Sequence, residues 1–217
     1  MILTSRTPLR ISLFGGGTDY PEYFHRMPGA VIGFAIDKYI YISALPLGAF
    51  VDYRYRVSYS RVETVDEIGR IEHPVVRTVL AEENHISPTD FSIQADLPAS
   101  AGLGSSSAFT VGFQHLVWAL NGVDASAELL AARAIHIEQT ILGERVGVQD
   151  QMHAAHGGFN RFDFSGDTTT VSPVGLSAQD LDEIAGWMVL VYTGRKRHAS
   201  AVLDEQMENT VAGSVDA

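Results

Sequence analysis

The 217-residue chain is 46% hydrophobic and 19% charged, with 20 Gly, 8 Pro and no Cys. That composition excludes a collagen, a disulfide-stapled module and a disordered tail, because there is enough apolar material for a packed core and nothing to cross-link it; one large or two small globular domains remain. Fifteen Lys plus Arg against 26 Asp plus Glu give a formal charge of -11, so the chain lacks the basic field that nucleic acid or an anionic membrane attracts, and any anionic ligand must be held locally.

The 15 cations are 13 Arg and 2 Lys, a bias that suits bidentate grip on phosphate or carboxylate and that codon composition explains equally well. No stretch of about 18 uncharged apolar residues occurs, and Met1 to Arg10 lacks an apolar leader core, so a soluble, cytoplasmic protein is expected. The absence of Cys fits a reducing compartment and many others equally. No internal repeat or low-complexity linker marks a domain boundary.

Arg6 to Phe14 reads as a strand entering Gly15-Gly16-Gly17. Residues 30–45 are rich in β-branched and aromatic types, as in one or two strands. Val51 to Ser60 alternates Val51, Tyr53, Tyr55, Val57 and Tyr59 with polar residues and is expected to be a half-buried strand. Pro74 to His85 begins with a proline suited to a first helical turn and places Val75, Val76, Val79 and Leu80 on one face. Phe91 to Leu97 alternates as a strand. Ala108 to Leu120 is an apolar helix ended by Asn121-Gly122. A second long helix is expected over Ser126 to Leu142, with Leu130, Ala134, Ile137 and Ile141 as its buried stripe and Gly143 as its stop. Strand-like pieces follow at Phe159 to Phe164 and Trp187 to Tyr192, with Ser177-Ala-Gln-Asp180 capping a short helix between them. Ala199 to Met207 reads as a last helix. Long helices with antiparallel-looking strands favour an α+β fold over a doubly wound parallel sheet.

Leu97-Pro98-Ala-Ser-Ala101-Gly102-Leu103-Gly104-Ser105-Ser106-Ser107 lies between a strand and an apolar helix. Its glycines let backbone N–H groups approach a ligand, its serines add hydroxyls, and the helix directs its positive end to the same place, which makes a phosphate cradle. A Walker loop is excluded because no Lys stands in it, and a dinucleotide fingerprint needs a third Gly where Ser107 stands. On these residues alone, a turn that merely caps a helix remains the alternative. Glu138 and Asp150 are two acids separated by Gly143 and Gly147, and a helix end with a glycine turn can bring such carboxylates to one site for a hard cation and a hydroxyl nucleophile. Each is also an ordinary helix or cap residue by type. His153 and His156 lack the Glu and the third ligand of a zinc motif, so no zinc is expected. Asn160 and Arg161 read as strand-edge residues. Gly15-Gly16-Gly17-Thr18-Asp19 removes side chains where another molecule can come close, and Asp19 can accept two sugar hydroxyl hydrogens; a sharp turn with Asp19 as a helix cap is the alternative.

Pro98-Ala-Ser-Ala-Gly102-Leu103-Gly104-Ser105-Ser106 closely resembles the second motif of the GHMP kinases, Pro-x-x-x-Gly-Leu-Gly-Ser-Ser. The family takes its name from galactokinase, homoserine kinase, mevalonate kinase and phosphomevalonate kinase. The resemblance implies an α+β N-terminal domain of the ribosomal protein S5 domain 2-like type over residues 1–190. It implies that Pro98, Ala101, Gly102, Leu103, Gly104, Ser105, Ser106 and Ser107 wrap the phosphates of ATP, and that Ser106 helps hold Mg²⁺. GHMP sugar kinases also carry a metal-binding Glu and an Asp in Gly-x-x-Asp-Gln, matched by Glu138 and Asp150. By this likeness Glu138 binds Mg²⁺ and Asp150 takes the proton of the acceptor hydroxyl or orients it.

Arg10-Ile-Ser-Leu-Phe-Gly15-Gly16-Gly17-Thr18-Asp19-Tyr20 keeps the Arg, Gly, Thr, Asp and Tyr of the galactokinase string. Gly16-Gly17 replaces its Glu-His, which argues against galactose and leaves room for a larger ligand. The string looks like that of heptose 7-phosphate kinases, with fucose kinases more distant. The implied activity is transfer of the γ-phosphoryl of ATP to the anomeric hydroxyl of a heptose 7-phosphate, with Arg10 and Asp150 catalytic and Gly16, Gly17, Thr18 and Asp19 on the sugar. Arg195-Lys196-Arg197, the densest basic cluster, is a candidate for the sugar phosphate through Arg197, and a solvated loop is its alternative. Thr193 matches a position near the active site of relatives. Fucose or uronic acid kinases, and a non-catalytic sugar- or nucleotide-binding module, are the other readings. The expected partners are small molecules and a homodimer, with no nucleic acid or membrane. The family's ferredoxin-like second half, with its own glycine-rich motif, does not follow Thr193. Residues 191–217 are therefore expected to be only its start, in a truncated or cleaved form or one completed by a partner chain.

Overall fold

The computed structural model describes residues 1–98 and 101–191. Strand β1 (Leu3–Phe14) leads through the triple-glycine turn and a single helical turn, α1 (Pro21–Phe24), into β2 (Gly29–Pro46). β3 (Tyr55–Ser58) and β4 (Val62–Val65) form a hairpin, followed by α2 (Pro74–Glu82), β5 (Thr89–Ala95) and α3 (Ser105–Leu120). Then come α4 (Ala127–Ile135), a π-helical segment (His136–Ile141), α5 (Gln149–His156), the strands β6 (Phe159–Ser165) and β7 (Thr168–Pro173), and α6 (Ala178–Trp187).

β2 is the spine of a mixed seven-stranded sheet ordered β4-β3-β5-β2-β6-β7, with β1 paired to β2. One edge of β2 runs antiparallel to β1 from Ala44 to Ile32; its other edge pairs first with β6, over 29–34, and then with β5, over 40–46. The buried positions of β2 change phase, from Val31 to Ile40, Ile42 and Ala44. The pairing with β1 shifts register between Pro8 and Arg10. Such a bulge re-aims the side chains that follow it, and Arg10 is the first residue beyond this one.

α3 and α5 pack on β1 and β2, and α4 lies against both helices. The core between helices and sheet is built from Leu9, Ile42, Phe91, Phe113, Leu116 and Ile137. Gly112 lets α3 come close to β1, because a Cβ there would collide with the Thr7 hydroxyl. No helix among the described residues is long and apolar enough to cross a membrane.

The α+β expectation agrees with this architecture, and several elements differ in detail. Only Tyr55–Ser58 of the expected 51–60 strand is a strand, and it runs parallel to β5 as well as antiparallel to β4. α3 starts at Ser105, so its first turn is part of the glycine-serine loop. The expected 126–142 helix is α-helical only to Ile135. Beyond it the wider π register breaks the 3.6-residue stripe, so that Ile137 and Glu138 are buried while Ile141 is exposed. α5 occupies residues the sequence reading left without an element. Asn160 and Arg161 stand in a strand paired on both sides rather than at an edge. Trp187 ends α6 instead of opening a strand. The capping box at Ser177 and Asp180 is present. The expected helix over 199–207, with Thr193 and the basic cluster at Arg195-Lys196-Arg197, lies outside the described residues.

Candidate active site

Arg10 leaves β1 just past the bulge. Its Nε donates to Asp150 Oδ1 at 2.7 Å, one terminal nitrogen lies 2.6 Å from the same oxygen, and the other donates to the Gly102 carbonyl at 2.9 Å. Its backbone N–H donates to the Leu103 carbonyl at 3.1 Å. One residue therefore joins the glycine-serine loop to the acidic segment, 140 residues away in sequence from its own position. Gly104 is the N-cap of α3, in the left-handed region at φ 71. A Cβ there would stand 3.2 Å from Arg10 Cγ and 3.3 Å from the Asp150 carboxylate, so the loop and the Arg10–Asp150 pair are in van der Waals reach.

No side chain among the described residues caps α3. The first-turn N–H groups at Ser105, Ser106 and Ser107 have no intrahelical acceptor, and together with the helix dipole they form an anion-binding end. Pro98 and Ala101 flank the loop, whose residues 99–100 are not described.

Glu138 is buried by the π-helical segment. Its Oε2 accepts from Ser107 Oγ at 2.9 Å and from Gln151 Nε2. Burial pushes its carboxyl up to about 7, against the Ser107 and Gln151 hydrogen bonds that favour the charged form. Its Oε1 has no partner among the described residues. The sequence reading paired Ser106 with Glu138. The structure puts Ser107 there instead, with Ser106 exposed, because neighbours on a helix diverge by about 100° and only one of them can face Glu138. An orphaned, buried carboxylate oxygen beside a serine hydroxyl fits a divalent cation. Mg²⁺ is usually held by one or two carboxylates and by substrate phosphates, and one buried glutamate beside the loop fits that set. His153 is fully buried, with Nδ1 on the Gln149 carbonyl at 2.8 Å, and burial lowers its proton affinity.

Asp19 departs most from the sequence expectation. Rather than facing a ligand, its carboxylate is fully buried. Oδ1 accepts from the Gly17 N–H at 3.1 Å and from Gln149 Nε2 at 3.0 Å, and Oδ2 accepts from the Gln149 N–H at 3.1 Å. Burial raises its proton affinity despite these donors. Gly147 makes the approach possible, since a Cβ there would collide with Asp19 Oδ2. Gly147→Ala is thus expected to cost about 1–3 kcal/mol, read as a lower Tm; an unchanged Tm would show that the loop does not press on Asp19. Thr18 is likewise occupied: its hydroxyl donates to the Gly15 carbonyl at 2.8 Å and accepts from the Ala30 N–H at 3.1 Å. It fastens the turn to β2. Gly16 and Gly17 remain side-chain-free beside Gln149.

The structure thus brings Arg10, residues 101–107, Glu138, Asp150 and the 15–19 turn into one neighbourhood. It adds Gln149 and Gln151, which sequence reasoning passed over in favour of the acid between them, and it gives Ser107, expected on the ATP phosphates, a bond to Glu138. Gln149-Asp150-Gln151, opening a helix after Gly147, was the signal available.

Residues 70–158 match the model of the GHMP kinases N terminal domain. The D-glycero-alpha-D-manno-heptose 7-phosphate kinase of Campylobacter jejuni is 27% identical over 210 residues, 92% of this chain and 62% of that protein. The galactokinase of Chloroflexus aurantiacus is 29% identical over 163 residues, 70% of this chain and 40% of that one. The chain therefore spans less than two thirds of the length of these relatives. Among solved structures, a D-glycero-D-manno-heptose 1-phosphate kinase from Bacteroides thetaiotaomicron superposes with a TM-score of 0.80 at 22% identity, covering 99% of this chain and 74% of that one. Lactococcus lactis galactokinase complexed with galactose gives 0.62 at 17% identity, covering 81% and 48%. Fold, ordered motifs and matched segment agree: residues 70–158 match the GHMP kinase N-terminal domain, and the chain shares the fold of these kinases.

Proposed function

We propose that the chain belongs to an ATP-dependent sugar kinase that phosphorylates the anomeric hydroxyl of a heptose 7-phosphate. The observation that carries the reading is Arg10, bonded at once to Asp150 and to the Gly102 carbonyl, which sets an acceptor-side carboxylate against a phosphate-binding loop. Both are needed within a few ångströms for in-line transfer.

In this reading the N–H groups and hydroxyls of 102–107 bind the ATP phosphates. Asp150 orients the attacking hydroxyl and receives its proton as the new O–P bond forms and ADP leaves. Arg10 stabilises negative charge on the transferring group and holds Asp150 in place. Glu138 and Ser107, with Ser106 exposed beside them, would hold Mg²⁺, whose chemistry when bound is to neutralise charge on the outer phosphates. Gly16 and Gly17 leave space for the sugar. Arg197 is proposed for its phosphate, as an arginine suits a bidentate phosphate contact, and Thr193 for a place near the substrate. Direct sugar contact by Asp19 is not part of the proposal, since its oxygens are already engaged.

The names of the relatives favour a sugar acceptor, and the Gly16-Gly17 replacement favours heptose over galactose. A panel of D-glycero-D-manno-heptose 7-phosphate, galactose, L-fucose and glucuronate with Mg·ATP, scored by coupled ADP release, tests this. Heptose 7-phosphate is expected to give the highest kcat/KM. A higher value for another sugar would reassign the substrate, and sugar binding without ADP release would make the protein a binding module.

A further inference from the structure

The first turn of α5 sends three consecutive side chains to three different elements. Gln149 reaches Asp19 in the glycine turn, Asp150 reaches Arg10 on β1, and Gln151 reaches Glu138 in the π-helical segment. The first of these has no role in the chemistry above. Gln149 Nε2 donates to Asp19 Oδ1 at 3.0 Å, and the Gln149 N–H donates to Asp19 Oδ2 at 3.1 Å. An ionised carboxylate only accepts, so the NH₂ of the amide must face Asp19 and its carbonyl must face away. That carbonyl, Oε1, is buried and has no partner among the described residues. A buried acceptor without a donor is costly, and that cost is regained when a donor arrives. On its nitrogen side the amide borders backbone that carries no side chain: a Cβ on Gly16 would stand 3.8 Å from Gln149 Nε2. The following residue is Asp150.

We infer that Gln149 determines acceptor specificity: its Oε1 accepts a hydrogen bond from a sugar hydroxyl other than the one phosphorylated, and Asp19 is a positioning residue that fixes which way the amide faces. The inference rests on the sugar-kinase reading of the same site and deepens it. The ligand class is a polyol with a free hydroxyl donor at that position. A deoxyfluoro analogue keeps the size and can accept but cannot donate, so it is selected against. Asp19 acts on the sugar through the amide, which explains a carboxylate buried in a turn that the sequence suggested was open to ligand.

The test uses the full chain, the four sugars named above and the monodeoxyfluoro analogues of whichever sugar binds, with binding measured by calorimetry and turnover by ADP release. Wild type is expected to select against one analogue by about 10-fold, the worth of one neutral hydrogen bond. Gln149→Leu and Asp19→Asn are expected to abolish that selection while KM for ATP stays within about twofold; a merely structural defect would weaken parent sugar and analogue alike and leave their ratio unchanged. Selection retained in Gln149→Leu overturns the inference and leaves the kinase reading intact. Sugar binding without ADP release overturns the kinase reading, and the inference is then decided by the same ratio in binding. Binding of none of the four sugars by wild type overturns both.

Discussion

Asp150→Asn lowers turnover by about 10²–10⁴-fold, the range of a lost general base, with ATP affinity little changed. Asn keeps the shape of the carboxylate, and its Oδ1 can still accept from Arg10, so the 2.7 Å contact and the Gly102 bond that anchor the loop have no reason to break. What the variant cannot do is take a proton or present a full negative charge to the acceptor hydroxyl. The defect should therefore fall on kcat rather than on KM for ATP. Because the Asp150 side chain is partly solvent-exposed, the change leaves no buried charge behind, and Tm should move by no more than a few degrees. Single-turnover kinetics with calorimetric ATP binding separates these parts. Turnover comparable to wild type would remove Asp150 from the chemistry.

Glu138→Gln has two opposed effects. It removes the carboxylate assigned to the cation, so turnover should fall by at least the same order. It should also stabilise the ligand-free chain above neutral pH. The sign follows from the raised proton affinity: the folded chain retains the Glu138 proton to about pH 7, whereas an ordinary glutamate loses it near 4.5. Between those values the folded state binds more protons than the unfolded state, so wild-type stability declines as pH rises through that window and levels off above it. At about 1.4 kcal/mol per pH unit the decline amounts to about 3 kcal/mol. Gln is neutral throughout and escapes it. The Tm of the variant minus that of wild type should be near zero at pH 4.5 and rise to several degrees by pH 8. A difference independent of pH would contradict the burial of an ionisable Glu138.

The residues that announce themselves by type were legible in the sequence. The glycine-serine loop, the Arg10 strand and the valine face of α2 all express local chemistry that needs no tertiary information. The surroundings of Asp19 and the serine that bonds Glu138 were read less well because they depend on direction. Whether a carboxylate in a glycine turn faces a ligand or the protein is decided by Gly147, which permits contact from 128 residues further along the chain. Which of three successive serines meets Glu138 is decided by where α3 begins, three residues before the apolar pattern starts. Glu138 itself was placed on a helix by periodicity, but its burial comes from a π-helical register that periodicity at 3.6 residues cannot express. The glutamines on either side of Asp150 carry no charge and fit no motif grammar, and only the fold shows that each holds a different carboxylate.

Phosphorus NMR of a reaction containing the full chain, Mg·ATP and D-glycero-D-manno-heptose 7-phosphate tests the central claim most directly. The account predicts a second sugar-phosphate resonance, coupled to the anomeric proton, growing in step with ADP and absent with Asp150→Asn. Inorganic phosphate as the only new phosphorus species besides ADP, or a new ester without coupling to the anomeric proton, would contradict it.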